Sequence, residues 1–339
     1  MKKAVFFVLF FVACFCYAQD EAVLSYVDGM VDIRYSDGEL TEAAIGDEVC
    51  SGESVITHSD GFAELVQYDG CTYKISPDTV FTVGKVSEKG TVRSVLSCII
   101  GKVLFKFQKM VGSEPLIATG STTAGIRGTE FCVYAGSDGS SLIAVTAGKV
   151  AVEAEGHSVE LTSNEAVEVV PGQAPGEKFV WLGKEQDFST WNDSRKKRFD
   201  EDPADALLAV ENRLMAFEDK IDSLVPVYEN DSSRLKEELR KFEQMKTDGE
   251  DMETLVAYRD QVIVPLQQST FNLIMNIRYY SLSALSMRRY IVGSLYADMK
   301  TKYICDLENP VFKKFIKVYD RILSDFEQLA VPQLVDADI

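Results

Sequence analysis

Asp28-Gly29, Ser36-Asp37-Gly38, Ser59-Asp60-Gly61, Asp69-Gly70 and Ser137-Asp138-Gly139 constrain the first half of this chain more than any other feature. Each joins a small acceptor side chain to a glycine free to take positive φ, which is the chemistry of hairpin turns. Between them, β-branched and aromatic residues alternate, with Val103-Leu-Phe-Lys-Phe107 and Leu142-Ile-Ala-Val145 as typical strand runs. Short strands at roughly ten-residue spacing predict an antiparallel all-β sandwich or roll over residues 22–180. A Gly-Lys-Val tripeptide recurs at 84–86, 101–103 and 148–150. It suggests reused strand starts, but without a fixed period it does not define a repeat protein.

The period changes after residue 200. Asp202 is placed to cap a helix with Pro203 in its first turn, and Leu207, Val210, Leu214, Phe217, Ile221 and Leu224 follow at alternating spacings of three and four. That is one apolar helical seam, expected to stop at Pro226. Further helices are expected from about Ser232 to Lys246, from Asp251 to about Ile304 with a kink or break at Pro265, and from Asn309-Pro310 to about Leu329. Arg278, Arg288 and Arg289 argue against a membrane span in the third. The expected organisation is multidomain α and β. It comprises a signal peptide at 1–18, a β-domain at 22–180, a linker at 181–200, a helical bundle at 201–330 and a tail at 331–339. The seam fits packing within one chain, and alternatively a homo-oligomer interface.

Lys2-Lys3 before a short apolar run, and Cys16-Tyr17-Ala18 before Gln19, form a cleavable export signal. The expected location is the periplasm or cell envelope. A second reading takes Val12-Ala13-Cys14 as a loose lipobox, with Cys14 acylated as a membrane tether. Cys50, Cys71, Cys98, Cys132 and Cys305 then remain, an odd number without a regular framework. Buried thiols and one disulfide, such as Cys50 to Cys71, are both compatible with it. The formal charge of −18 disfavours nucleic acid and bare anionic membranes as partners.

Familiar chemistry is scarce. His58 and His157 lie too far apart in sequence to suggest a metal site, and no P-loop, dinucleotide fingerprint or Gly-x-Ser-x-Gly elbow occurs. No cofactor is expected. Carboxylate pairs are uninformative in so acidic a chain. Pro171-Gly172, Pro175-Gly176, Trp181, Trp191 and Arg195-Lys-Lys-Arg198 look like a connector. Its tryptophans suit packing onto the β-domain, or stacking on a sugar.

The densest local pattern is Leu116 to Val133. Two strand-like ends flank a run of small hydroxyl residues and two glycines around one arginine. Gly125 and Gly128 are expected to take positive φ or allow close approach. Arg127 and Glu130 can pair only across a turn or bulge. The string Ala124-Gly125-Ile126-Arg127-Gly128-Thr129-Glu130-Phe131, after Thr119, Thr122 and Thr123, resembles the central signature of the FecR-domain family. Gly46-Asp-Glu-Val49, Ser76-Pro-Asp-Thr79 and Val145-Thr-Ala-Gly-Lys-Val150 extend the resemblance over roughly residues 24 to 170. It departs at Gly120, where the family usually carries proline. The resemblance implies a binding or scaffolding module. The eponymous regulator's signalling role needs an anti-sigma segment and a membrane span ahead of the β-domain, and neither is expected here. The expectation is a non-enzymatic envelope protein with a protein or polymer partner. Gly125, Arg127, Gly128, Thr129, Glu130 and Phe131 would be its structural or ligand-binding motif. The alternatives are a hydrolase of envelope polysaccharide, and a polysaccharide binder using Trp181, Trp191 and tyrosines.

Overall fold

The computed structural model describes residues 22–67, 70–88, 91–108, 114–181 and 188–336, without the side chains of Glu88, Arg127, Gly128 and 327–336. The expected leader, including Cys14, lies outside the described residues.

The β-rich part opens with β1 (Ala22–Asp28), β2 (Val31–Arg34), β3 (Leu40–Glu42), β4 (Glu48–Val49) and β5 (Ser54–Thr57). It continues through β6 (Phe62–Gln67), β7 (Thr72–Ile75), β8 (Val80–Glu88), β9 (Thr91–Lys106) and β10 (Leu116–Ala118). Five more strands complete it: β11 (Thr123–Ala135), β12 (Ser141–Ala154), β13 (His157–Thr162), β14 (Glu165–Val169) and β15 (Phe179–Val180). They join in one hydrogen-bonded network whose main path runs β15-β14-β12-β11-β10-β9-β7-β6-β1-β4. Among the described residues, β9 with β10 is the parallel pair and the others are antiparallel.

β9 serves two sets of neighbours. Its first half pairs with β8 and β10, its second with β7 and β11. The change falls at Gly101, whose φ of +106° is open to glycine and strained for other residues. A Cβ there would lie 2.2 Å from Thr79 Oγ1. That hydroxyl is fixed, because it accepts the Lys102 N–H at 3.0 Å while the Thr79 N–H donates to Thr57 Oγ1 at 2.9 Å. Gly-Lys-Val therefore marks a bend at Gly101, and again at Gly148 with φ +87°, but not at Gly84. Inside the β-rich part, Phe105 stacks on Phe131 with centroids 5.0 Å apart, among Tyr73, Phe81 and Phe107.

The helical part contains α1 (Phe188–Phe199), α2 (Pro203–Asp248), α3 (Met252–Tyr258), α4 (Val264–Met287), α5 (Gly293–Lys302) and α6 (Pro310–Asp336). Asp202 caps α2 by accepting the Asp205 N–H, and Asn309 caps α6 by accepting the Val311 N–H. Three expectations need correction. Pro226 does not end its helix: α2 runs through it to a left-handed C-cap at Gly249. Losing one backbone bond is tolerated because the far half of α2 is held laterally. Ser269 Oγ donates to Asp231 at 2.8 Å, Tyr258 donates to Glu238, and Phe242 stacks on Tyr258. Residues 188–199 of the expected linker are helical, and α6 continues to Asp336, past the expected end. The third helix is broken as expected near Pro265, through a π-helical turn at Arg259–Ile263, and a second π turn spans Arg288–Val292. Among the described residues no helix is long and apolar enough to cross a membrane.

The seam of α2 is buried inside this chain. Leu207, Val210, Leu214 and Phe217 pack with Met287, Ile291, Leu295, Phe315 and Ile322, and the same cluster takes in Ile56, Val80 and Ile99 from β5, β8 and β9. The helices are therefore laid on one face of the sheet. Successive residues of β8 split accordingly, Val80 toward the helices and Phe81 toward the β core.

Gly101→Ala should lower stability by more than the ~1–3 kcal/mol typical of a strained backbone alone. Gly46→Ala is the matched comparison, since Gly46 has φ +97° and nothing near its missing Cβ. Equal losses in thermal melts of the two variants would contradict the Thr79 contact.

Candidate functional site

The signature segment builds a bulge and a knot of hydroxyls. β11 pairs regularly with β12 up to Arg127 opposite Lys149, shifts to Glu130 opposite Ala147, and returns to its first register at Phe131 opposite Val145, where β12 carries the extra residue. At the first shift two residues of β11 therefore face one of β12, the bulge that a paired Arg127 and Glu130 would require. The positive φ sits across from it at Gly148. Gly125 is neither in positive φ nor in close approach, which corrects the expectation for it. The side chains of Arg127 and Gly128 lie outside the described residues. Thr129 is buried, with its carbonyl accepting the Phe107 N–H at 2.9 Å. Glu130 lines a shallow cavity with Lys74 and Lys106, and Phe131 is wholly inside.

The hydroxyl run is used internally. Thr119 Oγ1 and Ser121 Oγ both meet Ser141 Oγ, at 2.5 and 2.6 Å, and Thr122 Oγ1 donates to the Glu153 carbonyl at 2.6 Å. Buried hydroxyls satisfied in this way hold β10, β11, β12 and β14 together. Gly120, the departure from the family pattern, is where the helices seat. A Cβ on it would lie 3.0 Å from Ile291 Cδ1 and 3.2 Å from the Gly139 carbonyl. The expected Ser137-Asp138-Gly139 turn is present but buried, with Ser137 N donating to Asn192 Oδ1 of α1 at 2.9 Å.

The connector also docks on the β-rich part. Trp191 is 2% exposed and its Nε1 donates to Glu168 at 2.8 Å, while Arg195 pairs with the same carboxylate and lies over the indole. Trp181 packs on Tyr134. His58 meets Asp32 at 2.8 Å, and exposed His157 meets the Glu155 carbonyl at 2.9 Å.

A cleft opens where α4 crosses the sheet. Asn276 grips one residue of β8: the Ser87 N–H donates to its Oδ1 at 2.6 Å, and its Nδ2 donates to the Ser87 carbonyl at 2.9 Å. Beside this clasp are two adjoining cavities of about 200 and 230 Å³ that share Gly52, Thr82, Arg278, Leu282 and Ser286. The first is lined by Ile99, Phe271, Met275 and Tyr279. The second is lined by Arg34, Arg278 and Arg289, with Asp37 as the acidic residue among its lining. Arg34 donates to the Tyr290 hydroxyl and lies over that ring, 5.4 Å from its centroid. Glu53, near Asp37, has its carboxyl pKa raised, first by burial, but it is occupied in accepting the Cys50 N–H at 2.8 Å. Tyr279 lines the cleft with part of its ring exposed. Burial of its hydroxyl end pushes the pKa up to about 12, against smaller pulls from Arg213, Ser283 and Ser97.

Sequence reasoning missed this cleft. Its residues come from β2 and the Ser36-Asp37-Gly38 turn after it, from β5, β8, β9 and α4, and from the second π turn, and no single motif joins them. The available signal was a run of apolar and small residues in β9, Val95 to Ile99, too continuous for a strand with one wet face.

With this geometry in place, residues 53–151 match the family model described as FecR protein. The matched range contains the whole segment from Leu116 to Val133, so the resemblance rests on the region that builds the bulge and the hydroxyl knot. No curated protein matches the chain. Two crystal structures of a putative anti-sigma factor from Parabacteroides distasonis ATCC 8503 are similar to it. The 2.50 Å structure shows 18% identity and a TM-score of 0.32, covering 37% of this chain and 58% of that one. The 1.65 Å structure shows 17% identity and a TM-score of 0.33, covering 40% and 62%. The chain thus spans less than two thirds of the length of these neighbours.

Tyr279 gives the site a pH signature. Its folded pKa lies above the ordinary value of 10, so its contribution to stability is complete below pH 10 and is lost as pH rises toward about 12. A near-ultraviolet titration of Tyr279→Phe should lack one late-ionising tyrosine, and its melting temperature should fall less steeply over that window. Curves superimposable on those of the unmodified chain would contradict the enclosed hydroxyl.

Proposed function

We propose that the chain is a non-enzymatic binding module of the cell envelope, in which β-rich part and helical layer hold a ligand jointly. The observation that carries this reading is the cleft between α4 and strands β5, β8 and β9, whose walls come from both parts. In finer form, the β-rich part serves as an antiparallel sandwich or roll and the helices as a bundle on its face. The hydroxyls of Thr119, Ser121 and Ser141 are engaged with one another, which favours binding over nucleophilic catalysis. Burial of Trp191 weighs against a sugar platform built on the two tryptophans. A scaffolding role toward a protein partner draws support from Val227, Met252, Val256 and Val264, exposed on α2, α3 and α4.

The test places a photo-crosslinking residue at Ser286 in the cleft, or at exposed Glu160 on β13, in the full-length chain within the native envelope. Adducts formed from position 286 and not from 160 are the expected result. Equal labelling from both positions, or none from 286, would overturn the cleft as the binding site. Degradation of envelope polysaccharide that disappears in Asp37→Asn would overturn the non-enzymatic reading.

A further inference from the structure

The two cavities share Arg278 and Leu282 but differ in their remaining side chains, and those side chains point to a ligand. This inference rests on the proposed binding role and names the class of molecule that fills the cleft. Ile99, Phe271 and Met275 line only the first, beside Lys85, while Arg34 and Arg289 line only the second, beside Leu285. Together the two cavities fall within the ~300–1,000 Å³ typical of small-molecule sites.

Composition makes the arginine lobe unusual. The chain carries 53 acidic against 35 basic residues, yet Arg34, Arg278 and Arg289 converge on one cavity with Asp37 as the acidic lining residue. Arg34 is not neutralised by its contacts: its guanidinium donates to a phenol and lies over the ring, and its buried Nε has no hydrogen-bond partner among the described residues. Arg289 stands exposed at the mouth. Ser36 and Ser286 add hydroxyls to the same wall, where Ser54 and Thr82 bond each other at 2.7 Å. Guanidinium forks with neighbouring hydroxyl donors match a tetrahedral oxyanion of charge near −2, which is a phosphate monoester. The contiguous apolar lobe requires that the phosphate carry a hydrocarbon chain.

We infer that the cleft binds a single-chain alkyl phosphate, with the phosphate held by Arg34, Arg278 and Arg289 and the chain laid between α4 and β9. Neither half of such a ligand fills the site alone.

Decyl phosphate, kept below its aggregation threshold, is the probe for calorimetry with the full-length chain. Saturable one-to-one binding is expected, at least about tenfold tighter than inorganic phosphate or decanol. Arg289→Gln should weaken it about tenfold without lowering the melting temperature, since the side chain is exposed. Inorganic phosphate binding as tightly as decyl phosphate would overturn the apolar half, and decanol binding as tightly would overturn the anionic half. An unchanged affinity in Arg289→Gln, or no saturable binding at all, would overturn the inference. Crosslinks from position 286 would still stand in that event, so failure here is separable from failure of the binding role.

Discussion

Ile56, Val80 and Ile99 face outward from the β core, and the helices cover them. Burial of side chains this size is worth about 1.5–3 kcal/mol apiece, a sum comparable with the ~5–15 kcal/mol net stability of an ordinary domain. Neither part can shed the other without exposing that surface. Seating follows from the same contact: Ile291 fits against Gly120 because that residue carries no Cβ, and Asn276 fixes the angle of α4 by gripping the backbone of Ser87. The cleft is what remains where α4 lifts away from the strands between these fixed points.

Much of this was legible in the sequence, because local rules acted alone. The Asp-Gly turns, the capping by Asp202 and Asn309, the seam from Leu207 to Ile221 and the break near Pro265 each depend on neighbours within a few residues. The bulge in β11 was legible as a condition: Arg127 and Glu130 required it if they were to pair. Its compensating glycine is Gly148 rather than Gly125, because either strand of a bulged pair can relieve the strain. Pro226 misled because propensity was outweighed by lateral contacts from residues about 20–40 positions away.

What the sequence hid was the second face of the sheet. Residues Val95 to Ile99 read as an ordinary strand, and only their lack of alternation hinted at burial on both sides. Arg34 meets Arg278 and Arg289 from more than two hundred positions away, with no spacing rule to announce it. The departure at Gly120 had a use that no local argument supplies: a proline ring there would occupy the space that Ile291 takes.

The central claim, that the two parts share one core, is tested most directly by equilibrium unfolding followed with two probes on the full-length chain. Trp181 packs on Tyr134, and Trp191, carried by α1, is buried against Glu168 of β14, so their fluorescence reports the β-rich part with α1 docked on it while far-ultraviolet circular dichroism follows the other helices. The account predicts coincident transitions with one midpoint. A helical transition completed before tryptophan fluorescence changes would contradict it.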